Sequence, residues 1–110
     1  MHLKIATEFS RIPGARYPEE GDYSGKDFRT NILLPRLKTA IENGEKLTID
    51  LDGTAGLGTS FLEESFGGLI REDGIPYHQI KETIILISLD DPDYISEINS
   101  YLEDAYEKES

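Results

Sequence analysis

The stretch KLTIDLDGTAGLGTSFLEESFGGLIRE, residues 46–72, predicts a strand, a glycine-rich turn and a helix in immediate succession. In its first part apolar residues alternate with polar ones, the period of a strand with one buried face: Leu47, Ile49 and Leu51. Glycines then supply turn geometry that residues with a Cβ resist. After the turn, apolar residues recur at helical spacing: Phe61, Leu62, Phe66, Leu69 and Ile70. Ser60 and Glu63 have the spacing of a capping box, so we expect the helix to begin at Ser60.

The length and charge of the chain limit the class of protein. Its 110 residues suit one compact domain, residues 1–110, and leave no room for a second. With 22 acidic and 11 basic residues the formal charge is -11, so the surface should repel nucleic acids and anionic membranes. An acidic surface that only keeps the protein soluble is the simpler explanation, and a specific basic partner stays open as the alternative.

Residues that carry metal or redox chemistry are scarce. The chain contains no cysteine, which excludes disulfides and thiolate chemistry. His2 and His78 are its two histidines, and neither has a partner at metal-ligand spacing, so we expect no metal site, no cofactor and no catalytic residues. The N-terminus, MHLKIATEF, has no apolar run long enough for a signal sequence or a membrane span, which favours a cytoplasmic protein.

The rest of the chain predicts two further strands and two further helices. Residues 2–9 have the pattern of a short strand. Ser24 with Asp27 predicts the N-cap of a helix that ends at Gly44, and Pro35 predicts a kink in it or two short helices that meet there. Residues 73–82 are interpreted as a connection.

The C-terminal part completes the pattern. Residues 83–89, TIILISL, form a nearly continuous apolar run rich in β-branched residues, which is typical of an interior strand covered on both faces. Asp91 and Pro92 predict the start of a last helix. Strand and helix thus alternate three times, and this order favours an α/β domain with a mixed, mostly parallel sheet.

The loop over residues 10–25 is long for so small a domain, which makes it a candidate for function. Arg11 and Arg16 concentrate positive charge there in an otherwise acidic protein. They either pair with nearby carboxylates, as exposed cations commonly do, or contact an anion or a partner.

The string DLDGT, residues 50–54, resembles the nucleophile motif of the haloacid dehalogenase superfamily. The resemblance implies a small Mg²⁺-dependent phosphatase in which Asp50 attacks the phosphoryl group and Asp52 acts as acid and base. This chemistry needs a further strand with a Ser or Thr, and a lysine that holds the phosphate, before the acidic pair, but only one helix and a loop separate Asp52 from LDD, residues 89–91. A strand end followed by a turn-forming Asp-Gly is therefore the favoured interpretation, and the phosphatase is the alternative.

The segments GTSFLEESFGGLIRE and FSRIPGARYPEEGDYSGKDFR together resemble the STAS-like domain family of unknown function, which is related to anti-sigma factor antagonists. The resemblance implies a small mixed sheet with helices packed mainly on one side. It also implies a protein-interaction and regulatory module without catalytic chemistry, sometimes encoded near a histidine-kinase-like ATPase.

In the antagonists a Ser or Thr at this strand-to-helix turn is phosphorylated by a partner kinase, which ends a protein contact. The resemblance therefore implies partner contact or phosphorylation at the helix start, with these candidates: Gly58, Thr59, Ser60, Phe61, Glu63 and Glu64. Arg11 and Arg16 are candidates for secondary contacts. A binding module predicts an accessible, partly apolar patch over residues 57–61. The competing interpretation of Ser60 is an N-cap without a regulatory role.

Self-association is a third alternative. It would use the apolar faces over residues 84–89 and 95–102, if these are partly exposed in the monomer. A homo-oligomer therefore stays open.

Overall fold

A computed structural model describes residues 1–109 and shows an open sheet whose three strands are all parallel. The strands lie in the order β1 (His2–Lys4), β2 (Leu47–Asp50) and β3 (Ile84–Ile87). Within the described residues five helices accompany them: α1 (Ile5–Glu8), α2 (25–43), α3 (59–71), α4 (Tyr77–Thr83) and α5 (Asp93–Glu109). The predicted α/β class and parallel sheet are confirmed.

Two predicted boundaries are wrong. The strand expected over residues 2–9 ends at Lys4, because Ile5 and Ala6 are both buried and two consecutive residues of a strand cannot share one face. A short helical turn follows instead, and the N–H groups of Phe9 and Ser10 both donate to the carbonyl of Ile5 at 2.9 Å. The connection expected over residues 73–82 contains most of α4. Ile80 is the fully buried apolar residue of this short helix, and one such residue is too few to show helical periodicity in the sequence.

The prediction that β3 is covered on both faces is also wrong. The strand order places β3 at an edge of the sheet, so β2 is its one neighbour among the described residues. Leu3 and Ile49 lie in one register row and are fully buried, whereas Ile85 lies in the adjacent row with Thr48 and is 46% exposed. The sheet therefore has one covered face and one open face, as expected for helices packed mainly on one side.

Helices α2 and α3 each contain a π segment, a stretch with wider turns than the α-helix around it. In α2 the segment Arg29–Leu33 separates Gly25–Phe28 from Leu34–Asn43, and the Leu34 N–H donates to the Arg29 carbonyl five residues back. The change in hydrogen bonding falls immediately before Pro35, which has no N–H to offer the preceding turn. The interruption predicted at this proline is thus present as a π segment in one continuous helix.

The predicted ends of α2 are confirmed. The Ser24 hydroxyl accepts a hydrogen bond from the Asp27 N–H at 3.1 Å, as an N-cap should. Gly44 ends the helix with a φ of 66°, a left-handed geometry that favours glycine. At the other end of the chain, the Asp91 carboxylate accepts from the Asp93 N–H at 3.1 Å, where α5 was predicted to start.

Candidate functional site

Helix α3 begins one residue earlier than predicted, and the capping box is absent. Gly58 is the N-cap, with extended geometry and no side chain to cap the helix, and its carbonyl accepts from the Leu62 N–H at 3.0 Å. Ser60 lies inside the first turn, so its hydroxyl cannot serve as the cap. Thr59 and Ser60 are both exposed, and within residues 1–109 neither hydroxyl has a hydrogen-bond partner.

The prediction of an accessible, partly apolar patch over residues 57–61 is wrong. Leu57 is 6% exposed and Phe61 is fully buried. The Phe61 ring stacks on Phe28 with centroids 5.7 Å apart and also contacts Phe9 at 6.1 Å. Helical periodicity explains why Thr59 and Ser60 are exposed but Phe61 is buried. Successive residues of a helix point in different directions, and the third residue of this turn points to the core. Phe61 therefore anchors the helix start and cannot contact a partner in this conformation.

The carboxylates of Glu63 and Glu64 lie in one arginine cluster, which we define as Arg16, Arg29, Glu63, Glu64 and Arg71. Arg16 bonds Glu63 and lies 3.3 Å from Glu64. Arg71 donates to Glu63 at 2.6 Å and to Glu64 at 3.4 Å. Adjacent residues of a helix point about 100° apart, and the arginines reach both carboxylates because their long side chains bridge that angle.

The cluster changes the acidity of its exposed members. Burial alone would raise the pKa of Glu63, but hydrogen bonds from Arg71 and Arg16 outweigh it and hold its pKa below the ordinary value. The same contacts with Glu63 raise the pKa of Arg16 and of Arg71. Glu63 is therefore a paired anion at neutral pH.

The loop over residues 10–25 delivers Arg16 to this cluster, but not Arg11. The Arg11 side chain is exposed, and its backbone carbonyl accepts from the Ala55 N–H at 2.7 Å. That hydrogen bond ties the loop to the turn before α3. Of the two loop cations, Arg16 has thus taken the ion-pairing role that the sequence left open, and Arg11 stays a candidate for partner contact.

The buried cation of the cluster was not predicted from the sequence. The side chains of Arg29 and Glu64 are 4% and 2% exposed, and they form an ion pair between α2 and α3. Arg29 also donates to the Glu64 carbonyl at 2.8 Å, and its Nε lies 3.0 Å from Asp73 Oδ2 without the direction of a hydrogen bond. The sequence does contain an indication that Arg29 is buried. Arg29 follows Phe28 and lies one helical turn before Leu33, so it belongs to the apolar stripe of α2.

Glycines make room for the cluster. A Cβ at Gly68 would collide with the Arg29 guanidinium, and one at Gly25 would lie 2.8 Å from the Phe61 carbonyl. Gly67 likewise leaves room for the Glu63 carboxylate. The string EESFGG of α3 is thus explained by close packing of two helices around a buried ion pair.

An open cavity of about 350 Å³ lies beside the cluster, between α3 and the last turns of α5. Side chains of both charges and one tyrosine line it: Arg16, Glu63, Arg71, Tyr101, Asp104, Lys108 and Glu109. Partial burial and the nearby Glu97, Glu63 and Asp104 raise the pKa of Tyr101, which keeps the phenol neutral. The cavity carries both signs of charge, which gives it no clear preference for an anion or a cation.

Asp50 and Asp52 hold the sheet end together. Asp50 pairs with Lys4 at 3.3 Å and accepts from the Asp52 N–H at 2.9 Å. Asp52 accepts from the N–H groups of Leu89 and Asp90, each at 2.8 Å. Across residues 1–109, no group of three or more His, Asp or Glu side chains could hold a metal ion. Both carboxylates thus have the structural role that the favoured interpretation gave them.

Comparison with known proteins agrees with the fold. Residues 24–94 match the family model described as a STAS-like domain of unknown function (DUF4325). No curated protein and no solved structure matches the chain. Among the residues that the structure describes, no helix combines the length and the apolar character needed to cross a membrane.

Proposed function

Because the chain belongs to the STAS-like domain family of unknown function, we propose that it is a non-catalytic module for regulated protein interaction, with its contact site at the start of α3. The observation that carries the proposal is the exposure of Thr59 and Ser60, whose hydroxyls have no partner within residues 1–109. These hydroxyls lie on a helix start that Phe61 anchors in the core. A partner can therefore reach them without unfolding the helix.

The proposed regulation is phosphorylation of Thr59 or Ser60 by a histidine-kinase-like ATPase, which places the protein in the cytoplasm. A phosphate there would meet the N–H groups and the positive dipole of the helix start. The nearest acids of the helix, Glu63 and Glu64, are already paired with arginines. These two carboxylates therefore repel a new phosphate less strongly than two unpaired carboxylates would.

Phosphorylation is tested by incubating the protein with a histidine-kinase-like ATPase, the proposed partner, and locating phosphate by mass spectrometry. We expect phosphate at Thr59 or Ser60, and its loss in the Thr59→Ala, Ser60→Ala double variant. Ser96 is an exposed serine of α5 and provides the control, since Ser96→Ala should change nothing. Absence of phosphate at both helix-start residues would reject this regulation.

Partner binding is tested separately by affinity capture with the wild type, Ser60→Asp and the matched Ser96→Asp. We expect Ser60→Asp to lose the partner that the other two proteins retain. Equal capture by all three proteins would show that the contact site lies elsewhere.

A further inference from the structure

The π segment Glu63–Gly67 lies between the exposed hydroxyls of α3 and the part of the helix that ends at Arg71. A π turn holds about one residue more than an α turn, and such segments occur mostly as single turns inside α-helices. Without that extra residue in the turn, the same residues would form a second arrangement in which the whole of α3 is an α-helix. We call the two arrangements the π register and the α register.

The two registers present different residues at the helix start. If Gly68–Arg71 stays in place, conversion to the α register turns the preceding residues by about 100° and moves them by about 1.5 Å along the axis. Each residue before the π segment then takes the position of its predecessor. Leu62 enters the buried place of Phe61, and Phe61 moves to the exposed place of Ser60.

Arg29 holds the structure in the π register. In an α-helix the Glu64 carbonyl would accept from the N–H of residue 68, but here it accepts from Arg29 Nη1 at 2.8 Å. The same guanidinium pairs with the Glu64 carboxylate, and both side chains are almost fully buried. Gly68 leaves the space that Arg29 fills. Separating a buried ion pair leaves an uncompensated charge in the core, which is strongly unfavourable, so the pair acts as a lock on this arrangement.

We propose that the Arg29–Glu64 pair selects the π register, and that the α register is a second state of the module in which Phe61 becomes its apolar contact with a protein partner. The proposal rests on the proposed interaction function, since it supplies what the helix start lacks in the present state. An exposed aromatic residue is a common anchor of protein interfaces, and here Phe61 is held in the core. The Arg29–Glu64 pair therefore keeps Phe61 buried while Thr59 and Ser60 stay accessible.

The register is tested by NMR on Arg29→Met, which keeps a long side chain but removes the charge and the donors. In the wild type, Phe61 and Phe28 are in ring contact, and nuclear Overhauser effects should join their protons. In Arg29→Met we expect these effects to be lost and replaced by effects between the Leu62 methyl groups and Phe28. Arg36→Met is the matched control, because Arg36 is a half-exposed arginine of the same helix that pairs with Glu8.

Two results would overturn the proposal. One is a folded Arg29→Met that retains the contacts between Phe61 and Phe28. The other is loss of all core contacts of residues 59–62, which would mean local unfolding rather than a change of register. If Arg29→Met does not fold, Glu64→Gln is read in the same way. The experiment contains no kinase and no partner, so its outcome is independent of the tests of phosphorylation and capture.

Discussion

Gly68 is the residue at which any larger side chain would collide with the buried charge of Arg29. A methyl group there would occupy the space of the Arg29 guanidinium, which is held by the Glu64 carboxylate and carbonyl. We expect Gly68→Ala to destabilise the protein by about 2 kcal/mol, because overpacking outweighs the gain in helix propensity. Urea denaturation gives the free energy of unfolding.

The neighbouring glycine is the matched control for this prediction. A Cβ at Gly67 would meet the end of the Glu63 side chain, which is a quarter exposed and can move aside. Gly67→Ala gains the same helix propensity, so it should stay within about 1 kcal/mol of the wild type. Equal losses in the two variants would mean that the Arg29 pair does not restrict the helix at Gly68.

Glu63 should make the stability of the protein depend on acid pH. Its pKa in the folded state lies below the ordinary value of 4.5, because its arginine partners outweigh the effect of burial. A lowered pKa adds stability above the unfolded pKa, and that stability is lost as the pH falls through the folded pKa. We therefore expect the wild type to lose more stability below pH 4.5 than Glu63→Gln does.

Urea denaturation over a series of acid pH values measures this difference. Glu42→Gln is the control, since Glu42 is an exposed residue of α2 outside the arginine cluster. It should keep the pH dependence of the wild type. Parallel pH curves for the wild type and Glu63→Gln would contradict the assigned role of Glu63.

At the scale of elements, the sequence predicts what local rules determine. The alternation in β2, the N-cap at Ser24 and the left-handed Gly44 depend on neighbouring residues and were predicted correctly. The interruption of α2 was predicted from Pro35, but the π segment of α3 was not, because Arg29, which bonds its backbone, lies on α2 and is distant in sequence. The candidate site divides in the same way, since exposure of Ser60 follows from helical periodicity but burial of Glu64 needs Arg29.

The one-sided sheet leads to a prediction for two isoleucines on adjacent strands. Ile49 is fully buried on the covered face, whereas Ile85 lies 46% exposed on the open face. We expect Ile49→Ala to lower the free energy of unfolding by about 3 kcal/mol, as for a typical core truncation. Ile85→Ala should lower it by about 1 kcal/mol or less, because it loses little buried surface.

Chemical denaturation of the two single variants compares the faces directly. A large loss in Ile85→Ala would mean that another surface covers the open face in solution. Sedimentation of the wild type at several concentrations would then show whether that surface belongs to a second copy, the alternative that the sequence left open.

At the scale of the whole molecule, the charge is divided unevenly between interior and surface. The arginine cluster pairs three cations with two carboxylates, and Asp73 lies beside Arg29, so the cluster and the buried charges within it carry almost no excess charge. The formal charge of -11 must then be concentrated on the surface. The order of the residues in sequence could not reveal this division, which depends on the packing of α2 against α3.

This division of charge predicts that moderate salt stabilises the protein. The molecule measures 31 × 27 × 25 Å, so in about 10 mM NaCl, where the Debye length is about 30 Å, the excess negative charges repel one another across the whole molecule. In about 100 mM NaCl the Debye length falls to about 10 Å and most of that repulsion is screened, while the buried Arg29–Glu64 pair is screened much less. We expect the melting temperature to rise by about 4 °C, the shift that corresponds to roughly 1 kcal/mol in a domain of this size.

Calorimetry at the two salt concentrations measures the shift, and a charge variant identifies its source. Replacing Glu42, Glu97 and Glu103 by glutamine removes three surface charges that lie outside the arginine cluster. This variant should melt at a higher temperature than the wild type in low salt and respond less to added NaCl. If salt lowers the melting temperature of the wild type instead, the ion pairs of the cluster must contribute more to stability than surface repulsion removes, because screening weakens both.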